Sequence, residues 1–198
     1  TSLFQDSEGS DVMFGPTSAH VYLLWALERL AWNREWFPRV LGVLARLAQA
    51  DPGGKTANRP INSLQTILLP WSPQHGEDLS KAAEAIDMLH RAAADVAWAV
   101  GVKLLPTGWG TTSPTQKPEY RDAPGNRTVT VKEYWEFVRA VVARLIRWAG
   151  SDEAKLANLV SAYPQLRRGW DEVGQMVTDA LAAVDQSQLT DEGKAIVE

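Results

Sequence analysis

Hydrophobic residues recur at helical spacing along most of this chain, and two such stripes follow one another between residues 20 and 74. The first predicts an amphipathic helix over about 17–32, capped by Thr17 or Ser18, with these residues on one face: Leu23, Leu24, Leu27, Leu30 and Ala31. The second runs from Val40 to Ala48 and predicts a helix that ends at 51–54. The connection is so short that the two helices must fold back as a hairpin.

Polar residues and prolines predict where these helices begin. Asn33 is expected to N-cap the second helix, with Pro38 in its first turn, where a missing N–H is tolerated. Asn62 is expected to cap a short helix that ends at Pro70. Residues 20–74 are therefore predicted to form a helical hairpin plus a short helix.

Residues 77–105 predict a pair of helices with different surfaces. Over about 77–91 apolar residues alternate with charged ones at helical spacing, whereas about 94–105 is apolar nearly all round. The first pattern is typical of an outer helix and the second of an inner helix covered on both sides. Such outer and inner pairs are typical of HEAT-like solenoids.

Residues 130–185 carry the clearest helical pattern. Thr130 and Glu133 form a capping box, and the apolar stripe that follows ends at Gly150. Ser151 or Asp152 is expected to cap a shorter helix to about 161, and Pro164 to be the first residue of another helix.

The chain ends within a helical pattern. Over 189–198, Thr190 and two acidic residues are typical of a helix N-terminus, and the sequence stops about two turns later. At the other end, the sequence begins with Thr1 instead of an initiator methionine, and the residues after it show no signal-peptide pattern. We therefore expect residues 1–198 to be a single helical segment of a longer chain. The predicted fold class is all-α, an irregular HEAT-like α-solenoid with one long ordered loop.

The long loop, residues 106–127, is rich in Pro, Gly and Thr and lacks apolar periodicity. A loop of this length in a compact helical segment is uncommon and usually functional. Its candidate binding residues are of types that anchor interfaces and form charge-assisted hydrogen bonds: Trp109, Tyr120, Arg121 and Asp122. Two interpretations stay open, a lid over the inner helix and a docking loop with Trp109 as anchor and Arg121 as polar clamp.

Composition narrows the function classes. The 198 residues are 45% hydrophobic and 22% charged, with a formal net charge of −4 and no cysteine. No basic run exceeds Arg167-Arg168, which disfavours nucleic acid as a partner. The missing cysteines exclude disulfides and thiolate metal sites, and they make a reducing cytoplasm the default location. No apolar run approaches the ~20 residues of a membrane span.

Candidate chemistry is sparse. His20, His75 and His90 are scattered without metal-ligand spacing, so structural or surface roles are expected for them. The run Gly53-Gly54-Lys55-Thr56 lacks the preceding glycine of a phosphate-binding loop and follows a helix instead of a strand. Of the nine tryptophans, at least six are expected to serve core packing. We predict no catalytic residue, no metal and no cofactor.

Four strings carry a family resemblance: LLWALERLAWN, LARLAQADPGGKTANRPINSLQTILLPWSPQ, TSPTQKPEYRD and TVTVKEYWEFVRAVVARLIRWAG. From about His20 onward the chain resembles the helical region of large multidomain bacterial proteins associated with STAND-type signalling NTPases and antiphage defence. The chain departs from that group at Ala92-Ala93, where the group has a His-Pro step, and at Gln116, where it has a loop histidine. The second departure argues against a catalytic loop histidine here.

The resemblance implies a region outside the NTPase that senses or scaffolds. We therefore expect a non-enzymatic sensor or scaffold arm, whose partners are other domains of the parent protein or a protein trigger. The alternative is a helical ligand-binding or enzyme domain with a cleft at the 106–127 loop. A curved stack of helices with one long concave face would favour the sensor or scaffold arm. A closed helical barrel with a deep aromatic pocket would favour the ligand-binding or enzyme domain.

Overall fold

A computed structural model describes residues 20–54, 56–107, 112, 114–115, 117–119 and 128–197. Within these ranges every regular element is a helix, which confirms the all-α prediction. The helices, in chain order, are α1 Val21–Ala31, α2 Phe37–Ala50, α3 Pro60–Leu68, α4 Leu79–Ala92, α5 Ala94–Lys103, α6 Val131–Ala149, α7 Glu153–Gly169, α8 Asp171–Ala182 and α9 Asp191–Val197. A 3-10 turn, Gln186–Gln188, precedes α9.

The chain divides into two compact units. Of the described residues, those between 20 and 100 and between 112 and 129 belong to unit 1, and those between 101 and 107 and between 130 and 197 belong to unit 2. Helix α5 begins in unit 1 and ends in unit 2. The prediction that 1–198 forms a single segment stays a prediction.

Helix α2 lies at the centre of unit 1, where it packs against α1, α3 and α4. The fully buried side chains of these four helices form an apolar core, with members that include Leu24, Phe37, Leu41, Leu44, Leu64, Ile67, Ile86 and Leu89. Burial of a side chain of this size contributes about 1.5–3 kcal/mol, so this core is the main stabilising feature of the unit.

Unit 2 is built on the pairing of α7 with α8; α6 packs against both, and α9 packs against α7. The predicted capping box at the start of α6 is confirmed: the Thr130 hydroxyl accepts from the Glu133 amide at 3.2 Å, and the Glu133 carboxylate accepts from the Thr130 amide at 2.9 Å. Gly150 ends α6 with φ of +53°, a backbone conformation that favours glycine. Thr190 caps α9 as predicted, because its hydroxyl accepts from the Gly193 amide at 3.1 Å.

Two predicted N-caps are wrong. Asn33 does not begin α2; its side chain accepts from the Glu35 amide at 2.8 Å in the turn, and Trp36 occupies the cap position. Pro38 lies in the first turn of α2, as predicted. Proline is best tolerated in that turn, and a helix that began right after Asn33 would place Pro38 beyond it. Asn62 lies within α3, whose cap position is Arg59, and its amide donates to the Ala57 carbonyl at 2.8 Å.

The predicted break before Pro164 is also wrong, because α7 is continuous from Glu153 to Gly169 with the proline inside it. Proline removes the N–H that would bond the carbonyl four residues earlier, which destabilises a helix interior. Buried Leu159 and Leu166 lie on either side of Pro164, so packing maintains the helix through it. Asp152 caps α7 as expected, since its carboxylate accepts from the Lys155 amide at 3.1 Å.

Candidate functional site

The loop residues singled out in the sequence lie outside the described residues. This applies to Trp109, Tyr120, Arg121 and Asp122, and to Gln116. Their proposed roles in docking stay predictions. The described loop residues 112, 114–115 and 117–119 are in no helix, and they show how this part of the loop is attached to unit 1.

Thr115 attaches the loop to the helical hairpin. Its hydroxyl accepts a hydrogen bond from the Trp32 indole N–H at 3.3 Å and donates to the Gln74 side-chain oxygen at 3.4 Å. Its backbone amide also donates to that Gln74 oxygen, at 3.3 Å. All three residues are buried, so these hydrogen bonds satisfy groups that would otherwise be costly to remove from water.

The two partners of Thr115 are themselves held in place. The Gln74 amide nitrogen donates to the Ser72 carbonyl at 3.0 Å, and its backbone N–H donates to the Ile67 carbonyl at 3.1 Å. The Lys117 ammonium lies 4.4 Å from the centre of the Trp32 ring, in cation–π contact. Thr115 and Lys117 therefore fix this part of the loop against Trp32 at the end of α1.

The two buried histidines have structural contacts. The Nε2 atom of His20 lies 2.6 Å from the Asn58 carbonyl, and because a carbonyl only accepts, this nitrogen carries the proton. The His75 ring lies 4.8 Å from the Phe37 ring, and its Nδ1 accepts from the Glu77 amide at 3.2 Å. These contacts agree with the structural roles expected for histidines of this chain.

A partly buried carboxylate faces the interior of the hairpin. Glu28 of α1 accepts a hydrogen bond from the hydroxyl of buried Ser63 in α3, at 2.6 Å. Burial raises the pKa of Glu28 above its ordinary value, and the hydrogen bond from Ser63 opposes part of that rise. This hydrogen bond joins α1 to α3, so we assign Glu28 a packing role.

The outward sides of α1 and α2 expose large apolar side chains together with arginines. We call this set the hairpin surface, and its residues are Tyr22, Trp25, Arg29, Trp36, Arg39, Val43 and Arg46. Tyr22 is 76% exposed, Trp25 and Trp36 are each 38% exposed, and Val43 is 41% exposed. Sequence reasoning missed this surface because it assigned most tryptophans to the core.

The buried and exposed faces of α1 follow from the spacing of its residues. In α1, the buried residues are Leu24, Leu27 and Ala31, whereas Leu23 and Leu30 of the predicted stripe are 39% and 37% exposed. The predicted stripe was too wide. Tyr22, Trp25 and Arg29 recur at i, i+3 and i+7, which places them together on another face of the same helix.

The described part of the chain shows neither a metal-binding cluster nor a membrane-spanning helix. Its His, Cys, Asp and Glu residues form no group of three or more that could hold a metal ion. None of its helices is both long and apolar enough to cross a membrane.

Comparison with protein-family models, with curated proteins and with solved structures gave no match to this chain.

Proposed function

We propose that this chain is a non-enzymatic interaction segment, a sensor or scaffold arm that contacts protein partners through the hairpin surface. The partners are other domains of the same parent polypeptide or a separate protein that acts as a trigger. The sequence resemblance adds the expected context, a large bacterial protein of the STAND NTPase type acting in antiphage defence in the cytoplasm. The proposed architecture of the arm is an irregular α-solenoid.

The observation that carries this proposal is the uneven distribution of exposed apolar side chains. Among the described residues, seven of the eight exposed large hydrophobic side chains belong to unit 1, and the eighth is Val131 of unit 2. Tyr22, Trp25, Trp36 and Trp71 are among the seven. Groups of exposed apolar residues mark interaction sites, and tryptophan, tyrosine and arginine are the residue types that dominate binding energy at interfaces.

The tip of the hairpin is fixed, which suits a binding surface. Arg34, in the turn between α1 and α2, donates to the Gly76 carbonyl at 2.7 Å and lies 4.0 Å from the Glu77 carboxylate. The turn therefore contacts the segment between α3 and α4. A surface that is ordered before binding loses less conformational entropy on association, so its contacts contribute more to affinity.

Site-specific photocrosslinking in the cell tests this proposal. A photoreactive phenylalanine analogue replaces Tyr22 in one variant and Val131 in the other, two positions that are 76% and 75% exposed. We expect discrete protein adducts at position 22 and none at position 131, because only the first lies on the hairpin surface. Equal adducts at both positions, or none at position 22, would contradict the proposal.

A further inference from the structure

The hairpin surface carries an excess of positive charge. Residues 20–50 contain four arginines and two glutamates, and α2 has no acidic residue. Arg29, Arg39 and Arg46 are exposed. Glu28 does not offset them at the surface, because its carboxylate is directed toward Ser63. An exposed glutamate, Glu35, offsets part of this charge, and the remaining excess favours a partner that brings negative charge.

The exposed aromatic rings already have neighbours across their faces or edges. The Arg39 guanidinium lies over the Trp36 ring, 5.1 Å from its centre. Tyr22 and Trp25 meet edge to face, with ring centres 5.5 Å apart and planes at 84°. Bases of single-stranded nucleic acid bind by stacking on open aromatic faces, and the face of Trp36 that Arg39 covers is not open to a base. The same arrangement suits protein contacts, because a guanidinium that lies over an aromatic ring can still donate to a carboxylate.

Charge also disfavours a second copy of this chain as the occupant. A second copy that used the same surface would place arginines against arginines, and like charges brought together in an interface are unfavourable. A protein segment with carboxylates avoids this repulsion and pairs with the arginines.

We propose that the hairpin surface binds an acidic amphipathic protein segment, whose carboxylates pair with Arg39 and Arg46 while its apolar side chains contact Tyr22, Trp25 and Val43. Arginine pairs with carboxylates through two parallel hydrogen bonds, which adds orientation to charge attraction. The exposed rings provide the apolar part of the contact. This inference rests on the proposed function, because it specifies the chemistry of the partner.

Two synthetic peptides of ~20 residues test the proposal against the full 198-residue chain. Both have leucine at helical spacing; one has glutamate at the remaining positions and the other has glutamine there. Fluorescence anisotropy measures the binding of each labelled peptide. We expect the glutamate peptide to bind at least tenfold more tightly than the glutamine peptide, and the difference to shrink as salt rises.

Paired variants locate the binding to the hairpin surface. Arg39→Glu with Arg46→Glu should weaken binding of the glutamate peptide at least tenfold. The control, Lys132→Glu with Arg139→Glu, makes the same charge change on exposed positions of α6 and should bind as the unmodified chain does. Trp25→Ala tests the apolar part and should weaken binding of both peptides. Circular dichroism of each variant confirms that it is folded before its affinity is compared.

Several results would overturn the inference. They are equal affinity for the two peptides, equal loss in the α2 and α6 charge variants, or tight binding of a single-stranded oligonucleotide that depends on Arg39 and Arg46 in place of the peptide. If position 22 still crosslinks to a protein while the glutamate peptide fails to bind, the acidic partner is wrong and the interaction segment stands. If neither occurs, both proposals fail.

Discussion

The Trp32 indole N–H donates to the Thr115 hydroxyl at 3.3 Å, which joins the end of α1 to a residue 83 positions later in the sequence. Both side chains are buried, with exposed fractions of 2% and 8% for the two residues. Gln74 completes the contact by accepting from both the amide and the hydroxyl of Thr115. Thr115 thus contacts two separate parts of unit 1.

Replacing Thr115 by valine should destabilise unit 1, because the methyl group keeps the shape but leaves the Trp32 N–H without this acceptor. An unsatisfied buried donor costs about 1–3 kcal/mol. Urea unfolding measures the loss, and hydrogen exchange should show a faster-exchanging amide at position 115. Thr66→Val, a change of the same type at a half-buried position of α3, should alter stability by less than about 0.5 kcal/mol. Equal effects at the two positions would contradict the role of this hydrogen bond.

Two ion pairs of equal length allow the effect of burial to be measured. Arg59 and Asp51 lie 3.0 Å apart with side chains only 6% and 7% exposed, and Lys81 and Glu84 lie 3.0 Å apart with side chains 61% and 62% exposed. Arg59→Met should cost about 3–5 kcal/mol, because the buried Asp51 carboxylate loses its partner. Lys81→Met should leave the free energy of unfolding nearly unchanged, because water already screens this exposed pair. If urea unfolding gave similar decreases in the free energy of unfolding for the two variants, burial would not explain the contribution of the Arg59–Asp51 pair.

Local features of this fold could be predicted from sequence, and contacts between distant residues could not. The capping box of Thr130 and Glu133 depends on residues three apart, so its pattern identifies it directly. The attachment of Thr115 depends on Gln74, 41 residues away, and nothing in the spacing of either residue indicates the other. Asn33 shows the intermediate case, because a residue type that caps helices equally suits a turn.

The hairpin surface could be predicted only in part. Helical spacing places Trp25 and Arg29 together, but hydropathy alone assigns a tryptophan to the core. Whether an apolar side chain is buried depends on where the neighbouring helices pack, and α1 packs against α2 and α3 through Leu24, Leu27 and Ala31 instead. The arginines that give the surface its charge were visible in the sequence, but their position relative to the rings was not.

Glu28 should make stability depend on pH. Its pKa in the folded chain is raised above 4.5, chiefly by burial, so between 4.5 and the raised value the folded state keeps a proton that the unfolded state has lost. The free energy of unfolding therefore falls as pH rises through this window. Glu28→Gln removes this contribution while its amide oxygen can still accept from Ser63. As pH rises through the window, we expect the free energy of unfolding of the Glu28→Gln variant to increase relative to that of the unmodified chain.

Urea unfolding at a series of pH values between about 4 and 7 measures that difference. Ser63→Ala provides a second test, because the hydrogen bond from Ser63 lowers the pKa of Glu28. Without it, the window should extend to higher pH. A stability difference between Glu28→Gln and the unmodified chain that stays constant with pH would contradict the assignment.

Two glycines should respond in opposite directions to alanine. The Trp135 ring occupies the space that a Cβ at Gly169 would need, so alanine there must displace an indole packed between α6 and α7. Displacement of this kind typically costs about 1–3 kcal/mol. Gly42, within α2, has no heavy atom within 4 Å of its would-be Cβ. Alanine at Gly42 should stabilise the helix by about 0.5–1 kcal/mol, because the backbone loses less freedom on folding.

Urea unfolding of Gly169→Ala and Gly42→Ala measures both effects. Tryptophan fluorescence sums nine residues, and the part that is lost in Trp135→Leu reports on the Trp135 environment. We expect a changed emission spectrum only in the Gly169 variant. A second change, Trp135→Leu, removes the obstructing ring, so Gly169→Ala should cost less in that background than in the unmodified chain. If the cost is the same in both backgrounds, the destabilisation arises from the backbone at position 169 and the contact with Trp135 does not explain it.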